Sequence, residues 1–462
     1  MTPVDAAPHQ GAPTVAEAIG AWIGGALPIS RPCEDMARRL MLDVAGLCIA
    51  ARRGDYVQAV LATADPGGSC SAFGHAAAFG AYDAALVNGT AAHGEDFDDT
   101  FEGGPVHSGA VVVPAVLAAC EREGLSGAAL LRGVAVGAEL MCRLSLVAPK
   151  AIHKAGFHPT AVLGALAAAG GVAAALGLPP PQAVSALGVA GSMASGIIEY
   201  LAEGTWTKRM HAGWAAQAGI RAALMAQGGF LGPRTVLEGA HGFFHAFAPS
   251  RTPDFAPVLE GLGEHWLMPS IAFKPYPCGT MTQPFIDCAI SLAKQGVDPE
   301  SIASITCEVG EGTVHRLWEP LAAKHRPQTP YAAKFSTPFC IAVGLIDRRA
   351  GFSQFTEARI HDPAVQRLAA KVGYVVDPAD EYPRNFTGHL RATLADGSVL
   401  EVRQDHMRGG SRAPLTDAEM EAKFLDNTAY GGWDGARAER LRKALRGLFG
   451  QASLDGLAAV RA

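Results

Sequence analysis

From about residue 14 to 265 the chain is a succession of segments, each roughly 15–20 residues long, broken by short Gly/Pro stretches. Within them small and apolar residues recur every third or fourth position, the spacing of one helix face. Helices are predicted over Val15–Ala26, Pro32–Ala51, Ala81–Ala92, Ala110–Glu123, Gly127–Leu146 and Gln182–Ala194. The extreme case is Ala161–Leu178, a run without a charge that ends in Pro179-Pro180-Pro181. It is built of Ala and Gly rather than Leu, Ile and Phe, which argues for a buried helix over a membrane span. Gly164, Gly170 and Gly171 would let helix axes approach closely. A chain of this kind folds as tightly packed helices.

The texture changes after Pro269. Ser301–Gly310 alternates and is β-branched, and Gly373–Val376 is a second strand candidate after a helix at Pro363–Lys371. Phe386–Leu394 and Ser398–Gln404 flank Ala395-Asp396-Gly397, a hairpin signal. The tail returns to helix. Thr416-Asp-Ala-Glu419 is a capping-box pattern, and Arg437–Phe449 is amphipathic and basic. The expected fold class is mainly α. A large all-helical domain (1–268 and 406–462) is predicted with a smaller α+β lid domain (269–405), the C-terminal helices returning to the helical one. At 462 residues the chain is too long for one ordinary core, in keeping with two domains.

Composition narrows the function. Charged residues make up 18%, against roughly 25% in an average soluble protein. Limited polar cover points to burial in an oligomer, a homodimer first. The net charge of −6 is not gathered into blocks, so neither nucleic acid nor an anionic membrane is an expected partner. The nine cysteines are scattered with no CxxC pair, which suggests reduced thiols and no zinc ribbon or iron–sulfur loop. MTPVDAAPHQGAP at the N-terminus lacks the pattern of a signal peptide, so the expected location is cytoplasmic. No phosphate-binding loop, G-x-S-x-G or HExxH is present, which disfavours nucleotide chemistry and the commonest hydrolases.

Four polar clusters interrupt the apolar helices. The densest is His93-Gly-Glu95-Asp96-Phe-Asp98-Asp99-Thr100-Phe-Glu102, followed by His107-Ser108-Gly109. It reads either as a solvated loop capping the helix that starts near Ser108, or as chemistry that justifies burying carboxylates. Asp98, Asp99 and Glu102 also match the DDxxE element of magnesium-dependent all-α terpene synthases, although no second metal motif accompanies it. His158, ahead of Pro159-Thr160, is either a core histidine or a group meeting an anion at a helix N-terminus. Lys208, Arg209 and His211 form a cationic group, a solvated turn or a carboxylate-recognition site. Lys274-Pro275-Tyr276-Pro277-Cys278 is a stiff segment at the domain junction, placed to carry a functional lysine into a cleft. Cys278 is read as a quiet thiol, and Ala333-Lys334-Phe335-Ser336-Thr337-Pro338 as a helix cap near the same junction.

Taken in order, NGTAAHGEDFDDT, VHSGAVVVPA, AGFHPTAVLGALAAA, GTWTKRMHAGWAAQAGI, FKPYPCG and AKFSTPFCIA resemble the MmgE/PrpD family. That family includes 2-methylcitrate dehydratases, cis-aconitate decarboxylases and iminodisuccinate epimerases. The resemblance implies a homodimer with its cleft between a helical and a lid domain, and places family residues at Asp96, Thr100, His107, His158, Lys208 and Lys274. Decarboxylase members have a histidine where this chain has Gly279, and other relatives have one where it has Gln283.

What the resemblance implies is a lyase that needs no metal or organic cofactor and acts on a small di- or tricarboxylate through an enediolate-like carbanion. Dehydration leads. Epimerisation and cis-aconitate-type decarboxylation are the alternatives, and a terpene synthase is the remote one. His107 and His158 would be the acid–base pair, and Lys208 and Lys274 would neutralise carboxylates and developing charge. Asp96, Thr100, Arg209 and Tyr276 would bind and orient the substrate.

Overall fold

The computed structural model describes residues 12–26, 28–382 and 384–461; most of the N-terminal stretch read above lies outside them. The small-residue segments fold as helices: Val15–Gly24, Arg31–Ala51, Ala81–His93, Ser108–Glu123, Gly127–Ser145, Pro159–Leu176, Pro180–Met193 and Thr207–Gln227. Each matches a predicted element or extends a cluster named above. The apolar run is an interior helix, with 89% of its residues buried against its neighbours.

Glycine explains how tightly these helices lie. A Cβ built on Gly89, in Ala81–His93, would sit 2.5 Å from the Cα of Gly213, in Thr207–Gln227. Both helix backbones therefore meet at bare glycines, one turn from His93 and less than one from His211. Adding a methyl there would force the axes apart, at a typical cost of about 1–3 kcal/mol. The small residues thus do more than fill a core. They set the spacing between two helices that carry polar side chains inward.

Buried apolar residues fall into two clusters. The first runs from Val15 to Phe273 and takes in Phe352, Phe424, Leu441 and Leu445. The second runs from Tyr276 to Ala392 and includes Ile305, Trp318 and Phe339. The helices Asp417–Tyr430, with its Thr416 capping box, and Gly435–Gly447 contribute to the first cluster. Beside the second lies a four-stranded sheet in the order Val372–Val376, Ile302–Val309, Gly388–Leu394, Val399–Gln404. The first two strands run parallel and the other pairings are antiparallel. In the hairpin Gly397 takes φ +86°, which a side chain would resist, and Asp396 Oδ1 accepts the Ser398 N–H at 2.9 Å.

Two short pairings involve strands in the part read as wholly helical. Pro66–Ser71 pairs with Ala78–Phe79, and Thr100–Phe101 pairs with Ile271–Ala272. Three of the four strands have two residues, and the fourth, Pro66-Gly-Gly-Ser-Cys-Ser71, is built of turn-forming residues without alternation, which is why periodicity misses them. The second pairing matters for function. It stitches the acidic turn directly to the segment that carries Lys274.

Candidate active site

Every polar group here sits at the end of an element. Ala81–His93 stops at Gly94, and the chain turns through Glu95–Asp99 before the short strand. Asp96 takes φ +55°, a left-handed conformation that aspartate tolerates better than most side chains. Asp99 Oδ1 accepts the Gly109 N–H at 2.9 Å, so one carboxylate of the turn does cap the following helix. His107 and His158 occupy the N-cap positions of Ser108–Glu123 and Pro159–Leu176. Lys208 and His211, three residues apart, project from one face of Thr207–Gln227.

These ends converge on four imidazoles. The His93 ring lies 5.0 Å from that of His107 and stacks on His158 at 5.4 Å; His158 and His211 approach through Nδ1 atoms 3.2 Å apart. His93 Nδ1 meets Asp98 Oδ2 at 2.7 Å, and His107 Nδ1 meets the Asp99 carbonyl at 2.6 Å. The His107 contact must be a donated N–H, because a carbonyl only accepts. That leaves Nε2 of His107 as its basic nitrogen. His93 Nε2 is buried and has no hydrogen-bond partner among the described residues.

Burial and the nearby cations disfavour the charged form of His107, His158 and His211. Burial pushes His107 down to about 3 and His211 to about 4, and lowers His158 strongly; His93 and Lys208 add to the effect on His158 and His211. Burial would raise Asp98, but the imidazoles of His107 and His93 outweigh it and hold the carboxyl below its ordinary range. Asp99 shares the burial without such partners and, beside Asp98, is pushed up to about 8.

The cations face one carboxylate. Lys208 pairs directly with Asp96, and Lys274 donates to the Asp96 carbonyl at 3.0 Å while lying 3.9 Å from Asp98. Burial lowers Lys208, and Asp96 offsets part of that. Tyr331 donates its hydroxyl to Asp96 Oδ2 at 2.7 Å, and Lys334 pairs with Glu95. Two lysines and a phenol thus converge on a side chain that a substrate carboxylate could replace. The site as a whole offers neutral bases next to fixed positive charge.

Most of the residues expected from sequence are brought together here: Asp96, Thr100, His107, His158, Lys208 and Lys274. Thr100 is buried in the strand that pairs with Ala272. Two of the expected residues have other partners. Arg209 binds Glu95 at 3.2 Å and lies between the rings of Tyr56 and Tyr331, so it braces the turn from outside. The Tyr276 hydroxyl is taken by Asp287 at 2.6 Å and by Arg408 at 2.9 Å, a network separate from the imidazoles. The phenol at Asp96 is Tyr331 instead. His93, Tyr331 and Lys334 were not assigned roles from sequence. The only signal for them was the histidine opening the acidic cluster and the lysine in AKFSTPFCIA.

The DDxxE reading fails on geometry. Asp98 turns to His93, Asp99 to the helix at Gly109, and Glu102 to the Ser411 N–H and hydroxyl, so the three carboxylates diverge. His93, Asp98 and His107 do place potential ligand atoms within 4.8 Å of one another. Nδ1 of His93 and of His107 is engaged by an oxygen, which orients each ring and leaves its Nε2 lone pair as the one available to a proton or a ligand.

Two family profiles match almost end to end: the MmgE/PrpD N-terminal domain over residues 25–256 and the C-terminal domain over 276–446. The chain belongs to the MmgE/PrpD family. Among its MmgE/PrpD relatives, cis-aconitate decarboxylase of Mus musculus is 32% identical over 357 residues, covering 75% of this chain and 71% of its own. That of Homo sapiens is 32% identical over 354 residues, covering 75% and 72%. The cis-aconitate decarboxylase-like protein oryM of Aspergillus oryzae is 27% identical over 470 residues, 95% of each chain.

Proposed function

We propose that this protein is a lyase that removes water from a hydroxylated di- or tricarboxylate through a carbanion beside a carboxylate. The observation that carries the reading is the set of buried imidazoles around Lys208, Lys274 and Asp96. A substrate carboxylate would take the ammonium of Lys208 in competition with Asp96. One imidazole, His107 or His158, removes the proton next to that carboxylate, and the lysines stabilise the enediolate charge. The C–O bond on the neighbouring carbon then breaks, a C=C bond forms, and a second imidazole protonates the departing hydroxide to water. Imidazoles held this low in pKa carry no second proton to give in the unliganded site. A bound polyanion raises them, because opposite charge favours the protonated ring.

Decarboxylation is the second reading, favoured by the names of the relatives. Gly279 weighs against it. A Cβ here would lie 3.3 Å from Phe335 and 3.4 Å from Leu317, contacts that a small side-chain shift accommodates, so what weighs is the missing imidazole itself. Gln283 is likewise buried, with its amide nitrogen facing the Tyr276 and Cys278 carbonyls at 3.4 Å.

The test is to incubate chelator-treated protein with a panel of hydroxylated and unsaturated polycarboxylates in D₂O and follow it by NMR. Loss of water from one acid is expected. Release of carbon dioxide would install the second reading, deuterium entering recovered substrate without elimination would make the enzyme an epimerase, and an inert panel would sink all three. We further read the exposed Leu201, Trp206, Trp214, Phe230 and Leu231, on and around the helix that carries Lys208, as the face for a second copy. A monomeric mass by light scattering would refute that. All nine cysteines are free and buried, which suits a reducing cytoplasm.

A further inference from the structure

The turn that presents Asp96 and Asp98 is held by three lysines from widely separated parts of the chain. Lys334 Nζ donates to the Glu95 carbonyl at 2.9 Å, Lys274 Nζ to the Asp96 carbonyl at 3.0 Å, and Lys423 Nζ to the Phe97 carbonyl at 2.8 Å. Three ammonium groups on three successive carbonyls fix the orientation of each peptide from Glu95 to Asp98. Lys334 and Lys274 also face the carboxylates of the site, so their part in it is direct.

Lys423 is different. It projects from Asp417–Tyr430, is 8% exposed, and lies over the Phe97 ring at 4.0 Å. Its counter-ion is Asp43, on Arg31–Ala51, at 2.7 Å. Among the described residues its polar partners are Asp43 and the Phe97 carbonyl, with no contact to an imidazole or to Asp96. A lysine is costly to bury, and a surface ion pair would not require it. Here the charge is spent on a backbone carbonyl one residue from each of the two site carboxylates.

We propose that Lys423, balanced by Asp43, is a positioning residue for the active-site turn, fixing Asp96 and Asp98 through the Phe97 carbonyl without touching substrate. Asp98 in turn orients His93, whose ring lies against those of His107 and His158, so loosening the turn disturbs the imidazole cluster before it disturbs binding. Misplacement of about 1 Å can cost on the order of a hundredfold in rate. Lys423→Met is expected to lower kcat about 10–100-fold with KM changed less than about threefold.

The single variant also strands Asp43 as an unpaired buried carboxylate, which alone can unfold a protein. The decisive protein is therefore the double variant Lys423→Met/Asp43→Asn, in which no charge is left without a partner. Its melting temperature is expected to return most of the way to that of the parent, while kcat stays low. Imidazole ¹⁵N spectra, assigned with His93→Gln and His107→Gln, provide a second readout, and the resonances of His93 should move toward the tautomer mixture of free imidazole. The proposal is overturned if either kcat or the His93 resonances of the double variant match the parent. The turnover arm rests on the lyase reading. If the parent turns over no acid in the panel that reading fails, and the imidazole spectra alone decide the positioning role.

Discussion

His93 and His389 make nearly the same hydrogen bond, Nδ1 to a carboxylate oxygen at 2.7 Å from Asp98 and 2.6 Å from Glu308. Their surroundings differ. The side chains of His93 and Asp98 are wholly buried, three more imidazoles and two lysines surround them, and His93 Nε2 is left without a partner. His389 lies on the sheet, where Glu308 stands opposite it across one strand pair and Glu401 takes its Nε2. Glu401 is 56% exposed, and Arg391 completes the group by pairing with Glu308. Both of His389's ring nitrogens are engaged, so neither is available to a substrate. Burial and an unclaimed nitrogen separate an imidazole that can act as a base from one that ties strands together.

The sharpest way to break this comparison is to remove a group from the buried cluster. His158→Ala and Lys274→Ala are each expected to lower kcat at least about a hundredfold, since general acid–base catalysis contributes roughly 10²–10⁴-fold. Steady-state rates with the acid selected from the panel check this. Near-normal turnover in both variants would mean that the imidazole cluster is structural, like the one on the sheet.

The buried cluster was legible in unequal parts. His107, His158, Lys208 and Lys274 each stand in a segment long enough to be matched as a motif; the first three lie at the N-terminal ends of long helices, and Lys274 just beyond the strand Ile271–Ala272. Long small-residue helices such as Pro159–Leu176 are visible because their spacing repeats over several turns. Tyr331 and Lys334 come from a stretch of helices only four to seven residues long (Glu311–Leu317, Leu321–His325, Pro330–Ala333), too short for a period to emerge. Where the Tyr276 hydroxyl points is not legible, because proximity in sequence to Lys274 says nothing about which way a phenol turns; Asp287 and Arg408 decide that, 11 and 132 residues away. Lys423 lies on a helix rich in charge, where a lysine ordinarily reads as solvated. Only its packing against Phe97 and Asp43 distinguishes it.

A second prediction separates the two carboxylates of the same turn. Asp98 is ionised against its imidazoles, whereas Asp99 is raised to about 8 and so is mostly protonated in the folded protein at pH 7. In the unfolded chain Asp99 ionises near the ordinary aspartate value, about 3.9. Between these values the folded state binds the extra proton, so this contribution is fully present at low pH and is lost as pH rises towards 8. Asp99→Asn keeps an oxygen for the Gly109 N–H and cannot ionise. Relative to the parent it should therefore gain stability with rising pH up to about 8, with a limiting slope of about 1.4 kcal/mol per pH unit. Urea unfolding at pH 5.5, 7 and 8.5 measures the difference directly. A parent-to-variant gap independent of pH would show that Asp99 is ionised, like its neighbour.

The smallest effect is expected on the sheet. His389→Gln removes a ring bracketed by carboxylates but leaves Arg391 on Glu308, and it lies in a group that is partly solvated. Exposed ion pairs are worth up to about 1 kcal/mol and weaken with salt, so the variant should lose no more than that at low ionic strength and less at 1 M salt. Turnover should stay within about twofold of the parent, because nothing on this strand reaches the imidazole cluster. Melting curves at two salt concentrations and one rate measurement suffice. A tenfold fall in kcat with an unchanged melting temperature would erase the distinction between the clusters, since it would make His389 part of the chemistry despite its two carboxylates.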